Sequence, residues 1–484
     1  MRDMVLVLNF DDAASRAVTR KLRSERIFSK IVPGDLPLEK IREQEPAGLL
    51  LCGGVTGQFP AGLDERVLQS GLPTLALGDT AAAVLQALGG GAGDIVLQGA
   101  VRKLNYYWDS PVTYGIESAE RLLQCARDFS LPEGVSPICK AEELVVGFAH
   151  DTLPLYGIQF QAEQNDMEGS MLLRNFALSV CGCTTWWDDD ACVTRAVEEI
   201  RRVVGDGRAV CAMTGGIDSG VSALLGFRAL GNRLQCIFVD TGLLRDRESA
   251  DFLRFYRDEI GMEITRVPAE EKFLRALQGV RDPGEKRRVI SDLMHGILQE
   301  TAGQMGQFSA VIRGTSYNDV MFGGGRHRLM LDESVPEICP VQELFKDEIR
   351  RVGESMGIPQ EIVSRQPFPG SGLALRILGE VTEEKLRVLR RADAIFRSEV
   401  LRSNAARRLW QYFAVLSSMP GEKGRYVICL RAVHASEHSM AYAARLPYDV
   451  MENTVDRILR EQPEVRRVVY DWTPSENYTG IEWQ

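Results

Sequence analysis

The sequence predicts an α/β protein built on parallel sheets, ending in a smaller α+β region. Three observations carry that expectation. Short apolar runs at 4–8 (MVLVL), 48–52 (GLLLC) and 73–77 (PTLAL) alternate with amphipathic or turn-rich segments, the rhythm of strands joined through helices. The rhythm resumes at 208–213 (RAVCAM) and 235–240 (QCIFVD), followed by 262–268 (MEITRVP) and 309–315 (SAVIRGT). From Pro367 onward it changes to a helix-rich stretch, two strand-like runs and a helix between them.

Taken in chain order, the first region ends near residue 185. The following CGCTTWWDDDACVTRAVEEIRRVVGDG passes through a tryptophan pair and an acidic turn into an amphipathic helix, with Asp188 to Asp190 available as its cap. The second alternating unit has its helices at 249–260 and 286–300. In the last region the helix-rich stretch is expected over 383–418, strands over 425–433 and 467–471, and a helix over 447–461. The expected domains are therefore 1–185, 190–365 and 366–484. No internal repeat or low-complexity tract is visible.

A chain of 484 residues exceeds what one core organises and fits about three domains. It has no apolar run near the ~20 residues that span a bilayer, and the start MRDMVLVLNFDD turns acidic too soon for a signal peptide, so a cytoplasmic location is expected. The net charge of −10 argues against a non-specific nucleic-acid binder and favours small-molecule substrates. Ten cysteines occur without paired CxxC spacing, which disfavours structural zinc. Cys52, Cys211, Cys236 and Cys429 sit in apolar strand-like runs, where cysteine acts as a small hydrophobe. Cys181, Cys183 and Cys339 lie at loop or element ends, where a thiol is easier to reach.

The most informative stretch is RAVCAMTGGIDSG at 208–220, an apolar strand entering a glycine-turn-hydroxyl loop that opens a helix. Gly215 and Gly216 allow a tight backbone whose N–H groups converge on an anion, and the helix N-terminus behind Ser219 adds its dipole. Asp218 is a poor neighbour for phosphate unless a cation sits between them, which points to Mg²⁺. The GxxxxGK[ST] lysine is absent. An ordinary strand-to-helix turn would also read this way.

The loop resembles the SGGxDS loop of ATP pyrophosphatases, with Thr214 and Gly220 as variants. FVDTGLLR (238–245), RGTSYNDV (313–320), ELFKDEIRRVG (343–353), PFPGSGLALRILGEV (367–381), RRADAIF (390–396), RLPYDV (445–450), RVVYD (467–471) and IEW (481–483) occur in the order found in the GMP synthetase family. The resemblance covers the whole chain. It implies a flavodoxin-like class I glutamine amidotransferase-type domain, then a PP-loop adenine nucleotide α-hydrolase-like domain, then a small dimerisation and substrate domain. It also implies ATP and Mg²⁺ as cofactors and a homodimer, in an enzyme that adenylates a purine nucleotide and displaces AMP with ammonia.

In the amidotransferase region the resemblance is one of shape. The family nucleophile stands in a G-x-C-x-G elbow. Here the segment reads LPTLALGDTAAAV, with Gly78 at the cysteine position. The GxQFHPE box reads GIQFQAE, so Gln161 replaces the general-base histidine and Glu163 remains. The SGGP strand end has become Cys52-Gly53-Gly54-Val55. Loss of glutamine hydrolysis is the expectation.

The synthetase region keeps more. By the resemblance, Thr214, Gly215, Gly216, Ile217, Asp218, Ser219 and Gly220 would cradle the phosphates, with Asp218 on Mg²⁺ and Asp240 and Arg313 nearby. Asp218, Ser219 and Lys346 are the expected catalytic set, Lys346 neutralising the leaving pyrophosphate. A solvated helix lysine would look the same in isolation. The substrate end departs from the family: SVGVMGDGR is replaced by SSMPGEKGR, KPPATIEW by SENYTGIEW, HPFPGPG by QPFPGSG, and the HHN stretch is missing near RHRLMLD. Arg376 and Glu482 remain as implied substrate contacts, and Arg326, Arg328 or Arg425 would compensate for lost phosphate-side groups.

The leading functional expectation is an AMP-forming, ATP-dependent enzyme that replaces a carbonyl oxygen of a purine-like molecule with nitrogen from ammonia or a donor protein. Sulfur insertion with Cys339 as the thiol, a silent nucleotide-binding regulator, and GMP synthesis from free ammonia are the alternatives. No nucleic-acid or membrane partner is expected.

Overall fold

The computed structural model describes residues 3–54, 61–163, 167–321, 334–366, 368, 370–419, 421–422, 424–435 and 440–476. The chain separates into two compact units, Met1–Ala191 and Cys192–Gln484, and the boundary expected at 365/366 falls inside the second.

Unit 1 starts with β1 (Val5–Asn9), α1 (Asp12–Ser24), β2 (Ser29–Pro33), α2 (Leu38–Glu43), β3 (Gly48–Cys52), β4 (Thr74–Leu77) and α3 (Asp79–Ala87). It continues with β5 (Gly91–Tyr106), β6 (Ala119–Ser130), β7 (Val135–Ala141), β8 (Leu144–His150), β9 (Leu155–Ile158) and α4 (Met167–Asn175). Among the described residues these strands form one sheet in the order β2-β1-β3-β4-β9-β8-β7-β5-β6. The first five are mutually parallel and follow the flavodoxin-like order, as expected. The next four run antiparallel, an extension the apolar runs did not announce. The reason lies in burial. β5 has one fully buried position in 16 residues, whereas β3 and β4 are buried throughout, so only the parallel strands read as continuous apolar runs.

The boundary between the units falls in the first turn of α5 (Asp189–Val204), at whose start the Asp188 carboxylate accepts from Ala191 N at 2.9 Å. There follow β10 (Ala209–Met213), α6 (Ile217–Leu230), β11 (Leu234–Asp240), α7 (Glu248–Leu253), β12 (Ile264–Pro268), α8 (Glu270–Ala276), α9 (Pro283–Gln304), β13 (Ala310–Ile312), α10 (Tyr317–Met321), β14 (Glu337–Ile338), α11 (Lys346–Ser355) and α12 (Gln360–Val363). The strands make an all-parallel sheet ordered β12-β11-β10-β13-β14. The order reverses between β10 and β13, and in such sheets ligands bind beyond the carboxyl ends of the strands at that switch point.

The chain ends with α13 (Glu383–Arg402), β15 (Gln411–Ser418), β16 (Tyr426–Ala435), β17 (Met440–Ala443), α14 (Tyr448–Glu461), β18 (Val465–Tyr470) and β19 (Ser475–Glu476). The helix-rich reading of 383–418 is corrected here. The helix stops at Arg402, and 411–418 is a strand whose first six residues are buried. A short continuous apolar run such as QYFAVL has no period that separates a buried strand from a buried helix. β16 takes β15 on one edge, and β18 followed by β17 on the other. One apolar cluster joins Val210, Ile237 and Val311 of the parallel sheet to Leu373, Leu389 and Ile428, so this last region shares its core with the sheet before it.

Candidate active site

The glycine-turn loop stands at the carboxyl end of β10, on one side of the switch point. Gly215 has φ +83°, a conformation that needs glycine, and Gly216 is the extended residue preceding α6. Ser219 braces the turn from inside: Thr214 N donates to its Oγ at 3.1 Å, and that Oγ donates to Gly216 O at 3.0 Å. With Ser219 buried, the first-turn N–H groups of α6 are left to converge on the space in front of the loop.

Two further segments close on this loop. Gly314, just after β13, comes so near that a Cβ there would stand 2.5 Å from Ser219 N. Lys346, the first residue of α11, forms an ion pair with Asp218 Oδ2. The start of α11 is itself fixed, since the Glu348 carboxylate accepts from Phe345 N at 2.8 Å. Burial pushes the Asp218 carboxyl above its ordinary range and the Lys346 ammonium opposes that rise. Asp218 Oδ1 is buried without a hydrogen-bond partner, the donor a hard divalent cation would complete.

The remaining expected residues occupy distinct positions. Asp240 ends β11 and is engaged by protein groups: Arg266 Nη2 at 2.7 Å, Ser249 Oγ at 3.2 Å and Gly242 N at 3.4 Å. Arg313 pairs with Glu337 at 2.7 Å beside the Gly314 turn. Cys339 follows β14, bonds to Thr315, and has its thiol pKa raised by burial. Arg376 is 2% exposed and lies against Phe413 and Phe368, with Asp393 at 3.6 Å. Arg425 donates to Pro463 O at 2.8 Å. Arg326, Arg328 and Glu482 lie outside the described residues.

Position 220 shows a coupling that the sequence alone did not suggest. A Cβ at Gly220 would stand 2.2 Å from the Tyr256 hydroxyl oxygen, and Tyr256 is fully buried with that oxygen unpartnered. The only signal in the sequence was Gly220 itself, one of the departures from the loop pattern.

In unit 1 the three segments read against the amidotransferase pattern converge. Cys52 pairs with Leu77 and Leu77 with Ile158, so Gly53-Gly54, Gly78 and the 161–163 segment all emerge at the carboxyl ends of β3, β4 and β9. Gly78 adopts φ +63°, ψ −133°, the sharp strand-to-helix turn of an elbow. Its surroundings are closed, because a Cβ at 78 would meet the carbonyl oxygens of Gly53 and Gly54, each at 2.5 Å. The N–H of Asp79, placed like the oxyanion donor that follows a nucleophile, donates to Gly54 O at 2.8 Å. Gln161 O accepts from Arg121, and burial raises the Glu163 carboxyl pKa.

Fold and site together define an α/β protein with a flavodoxin-like unit and a second unit presenting a glycine-turn loop at the switch point of a parallel sheet. The chain belongs to the glutamine-hydrolyzing GMP synthase family. It is 36% identical to GMP synthase of Caldicellulosiruptor saccharolyticus over 509 residues, covering 100% of this chain and 99% of that protein. It is likewise 36% identical to GMP synthase of Clostridium perfringens, covering 100% of both. Residues 398–483 match the family model described as the GMP synthase C terminal domain. Among solved structures, NMN synthetase from Francisella tularensis shares 16% identity with a TM-score of 0.32, covering 38% of this chain and 78% of that one.

Proposed function

We propose that this family member adenylates a carbonyl oxygen of a purine-like acceptor with ATP and replaces it with nitrogen from free or delivered ammonia, having lost its own glutaminase activity. The observation that carries the first half is the loop of 214–220 with Asp218 and Lys346 gathered at the switch point. The acceptor oxygen attacks the α-phosphorus and pyrophosphate leaves with the bonding electrons. Ammonia then attacks the activated carbon, and AMP departs with the oxygen. The N–H groups of 215–219 and Lys346 bind and orient the β- and γ-phosphates and offset the charge that collects on pyrophosphate. Asp218 would hold Mg²⁺, which would supply charge neutralisation for the phosphates. Thr214 and Ser219 keep the turn in shape, while Asp240 and Arg313 act through the ion pairs they make.

The second half is supported by the closed elbow. Gly78 supplies no nucleophile, Gln161 no imidazole base, and the Asp79 N–H is already engaged. In this reading the chain is a divergent, cytoplasmic homodimer. Its first 185 residues are retained for packing, 190–365 carry adenylation, and 366–484 hold the acceptor and the partner through groups that include Arg376 and Glu482. The sulfur-transfer alternative would use Cys339, but burial disfavours its thiolate.

The test is AMP and pyrophosphate release from Mg-ATP across oxopurine bases, nucleosides and nucleotides, with ammonium, glutamine or sulfide supplied. Expected is release with ammonium and a lighter product, none with glutamine, and at least about a hundredfold loss in Asp218→Asn. Turnover on glutamine, or a heavier thiolated product abolished by Cys339→Ser, refutes the reading.

A further inference from the structure

The segment after β11, residues 241–247, runs beside the 214–220 loop on one side and is gripped by the carboxy-terminal region on the other. On the loop side, Leu244 Cδ1 lies 3.6 Å from where a Gly215 Cβ would be. On the far side, Leu373 N donates to Leu243 O at 2.8 Å, and Gly372, at φ +64°, packs so tightly that a Cβ there would meet Leu243 O at 2.3 Å. Arg390 of α13 donates from Nε to Leu244 O at 3.1 Å and from Nη2 to Gly242 O at 2.5 Å. Arg245 runs inward to Asp393, Nε to Oδ2 at 3.2 Å, with both side chains 2% exposed or less. Its guanidinium lies 4.3 Å from the centre of the Phe368 ring, and Arg376 approaches the same ring and the same Asp393.

We infer that Arg390 is a positioning residue for the ATP site, and that Arg390 with the Arg245–Asp393 pair forms a latch through which α13 sets residues 241–247 against the phosphate loop. This inference rests on the ATP reading above. Arginine suits the task because its planar fork reaches two carbonyls at once that a lysine would reach singly. Those carbonyls belong to Gly242 and Leu244, two of the residues that continue directly from β11 towards the switch point. A carbonyl accepting from a charged donor is held more firmly than one facing water, so freeing both lets the segment, and Leu244 with it, drift from Gly215.

The experiment compares the full chain with Arg390→Met, Arg390→Lys and Arg391→Met, reading Mg-ATP affinity by calorimetry and amide exchange over 241–247. Arg391 is the neighbouring control, since it turns to Glu461 instead. Expected for Arg390→Met is about tenfold weaker binding, faster exchange confined to 241–247 and an unchanged melting temperature. Arg390→Lys should recover part of both losses and Arg391→Met should match the parent. Binding within about twofold of the parent in Arg390→Met, or faster exchange spread through the whole unit with a fallen melting temperature, overturns the latch. Failure of the unmutated chain to bind Mg-ATP overturns the ATP reading itself, and is thereby told apart from failure of the latch.

Discussion

At position 78 any side chain meets two carbonyl oxygens, so a cysteine returned there has no room. Gly78→Cys is expected to leave glutamate release from glutamine at background and to lower the melting temperature, both measurable on one preparation. Detectable glutaminase in that single variant would mean the 53–54 backbone yields easily. Position 220 tests the opposite case, a glycine needed by its neighbour. Gly220→Ser forces its Cβ onto the Tyr256 hydroxyl and should cost about 1–3 kcal/mol in denaturant unfolding. Tyr256→Phe removes a buried unpartnered hydroxyl, so alone it should be neutral or slightly stabilising, and in the double variant it should return part of the Gly220→Ser loss.

At the scale of elements, α9 carries Lys286 into the interior, where Nζ donates to Ile377 O at 2.7 Å and Ala374 O at 3.2 Å. Burial, with Lys385 nearby as a lesser cause, holds its pKa down to about 8 from an ordinary 10.5. A lysine whose folded pKa is lowered binds fewer protons folded than unfolded. Stability therefore rises with pH between about 8 and 10.5, as the cost of the buried charge is relieved. Lys286→Met should flatten that slope in chemical unfolding followed across the same window; an unchanged slope would assign the pH dependence to other groups. The two carbonyls that Lys286 bonds flank Arg376, which itself pairs with Asp393 of α13, so α9 and α13 both hold that segment.

Across the whole molecule, the proposed function assigns the two units different roles, adenylation to unit 2 and no glutamine hydrolysis to unit 1. Unit 2 keeps its loop, its acid and its lysine at a switch point, while the corresponding strand ends of unit 1 are filled by their own backbone. The consequence to measure is nitrogen source: ammonium should support turnover and glutamine should not, even at saturating ATP. No helix among the described residues is long and apolar enough to cross a membrane.

The sequence by itself determined the α/β class, the parallel strands and the glycine-turn loop at 214–220, because each depends on local residue type and period. Buried strands such as Gly48–Cys52 and Ala209–Met213 announce themselves as apolar runs. The exposed hairpin of β5 and β6 and the strand at 411–418 did not, since exposure erases one pattern and complete burial makes the other ambiguous. Only the tertiary structure decided that Gly314 and Gly220 are glycines because of Ser219 and Tyr256. It alone placed Arg376 in a buried charge cluster and tied Asp240 to Arg266. Such roles depend on which atoms stand within a few ångströms across long sequence separations, and no local pattern encodes that distance.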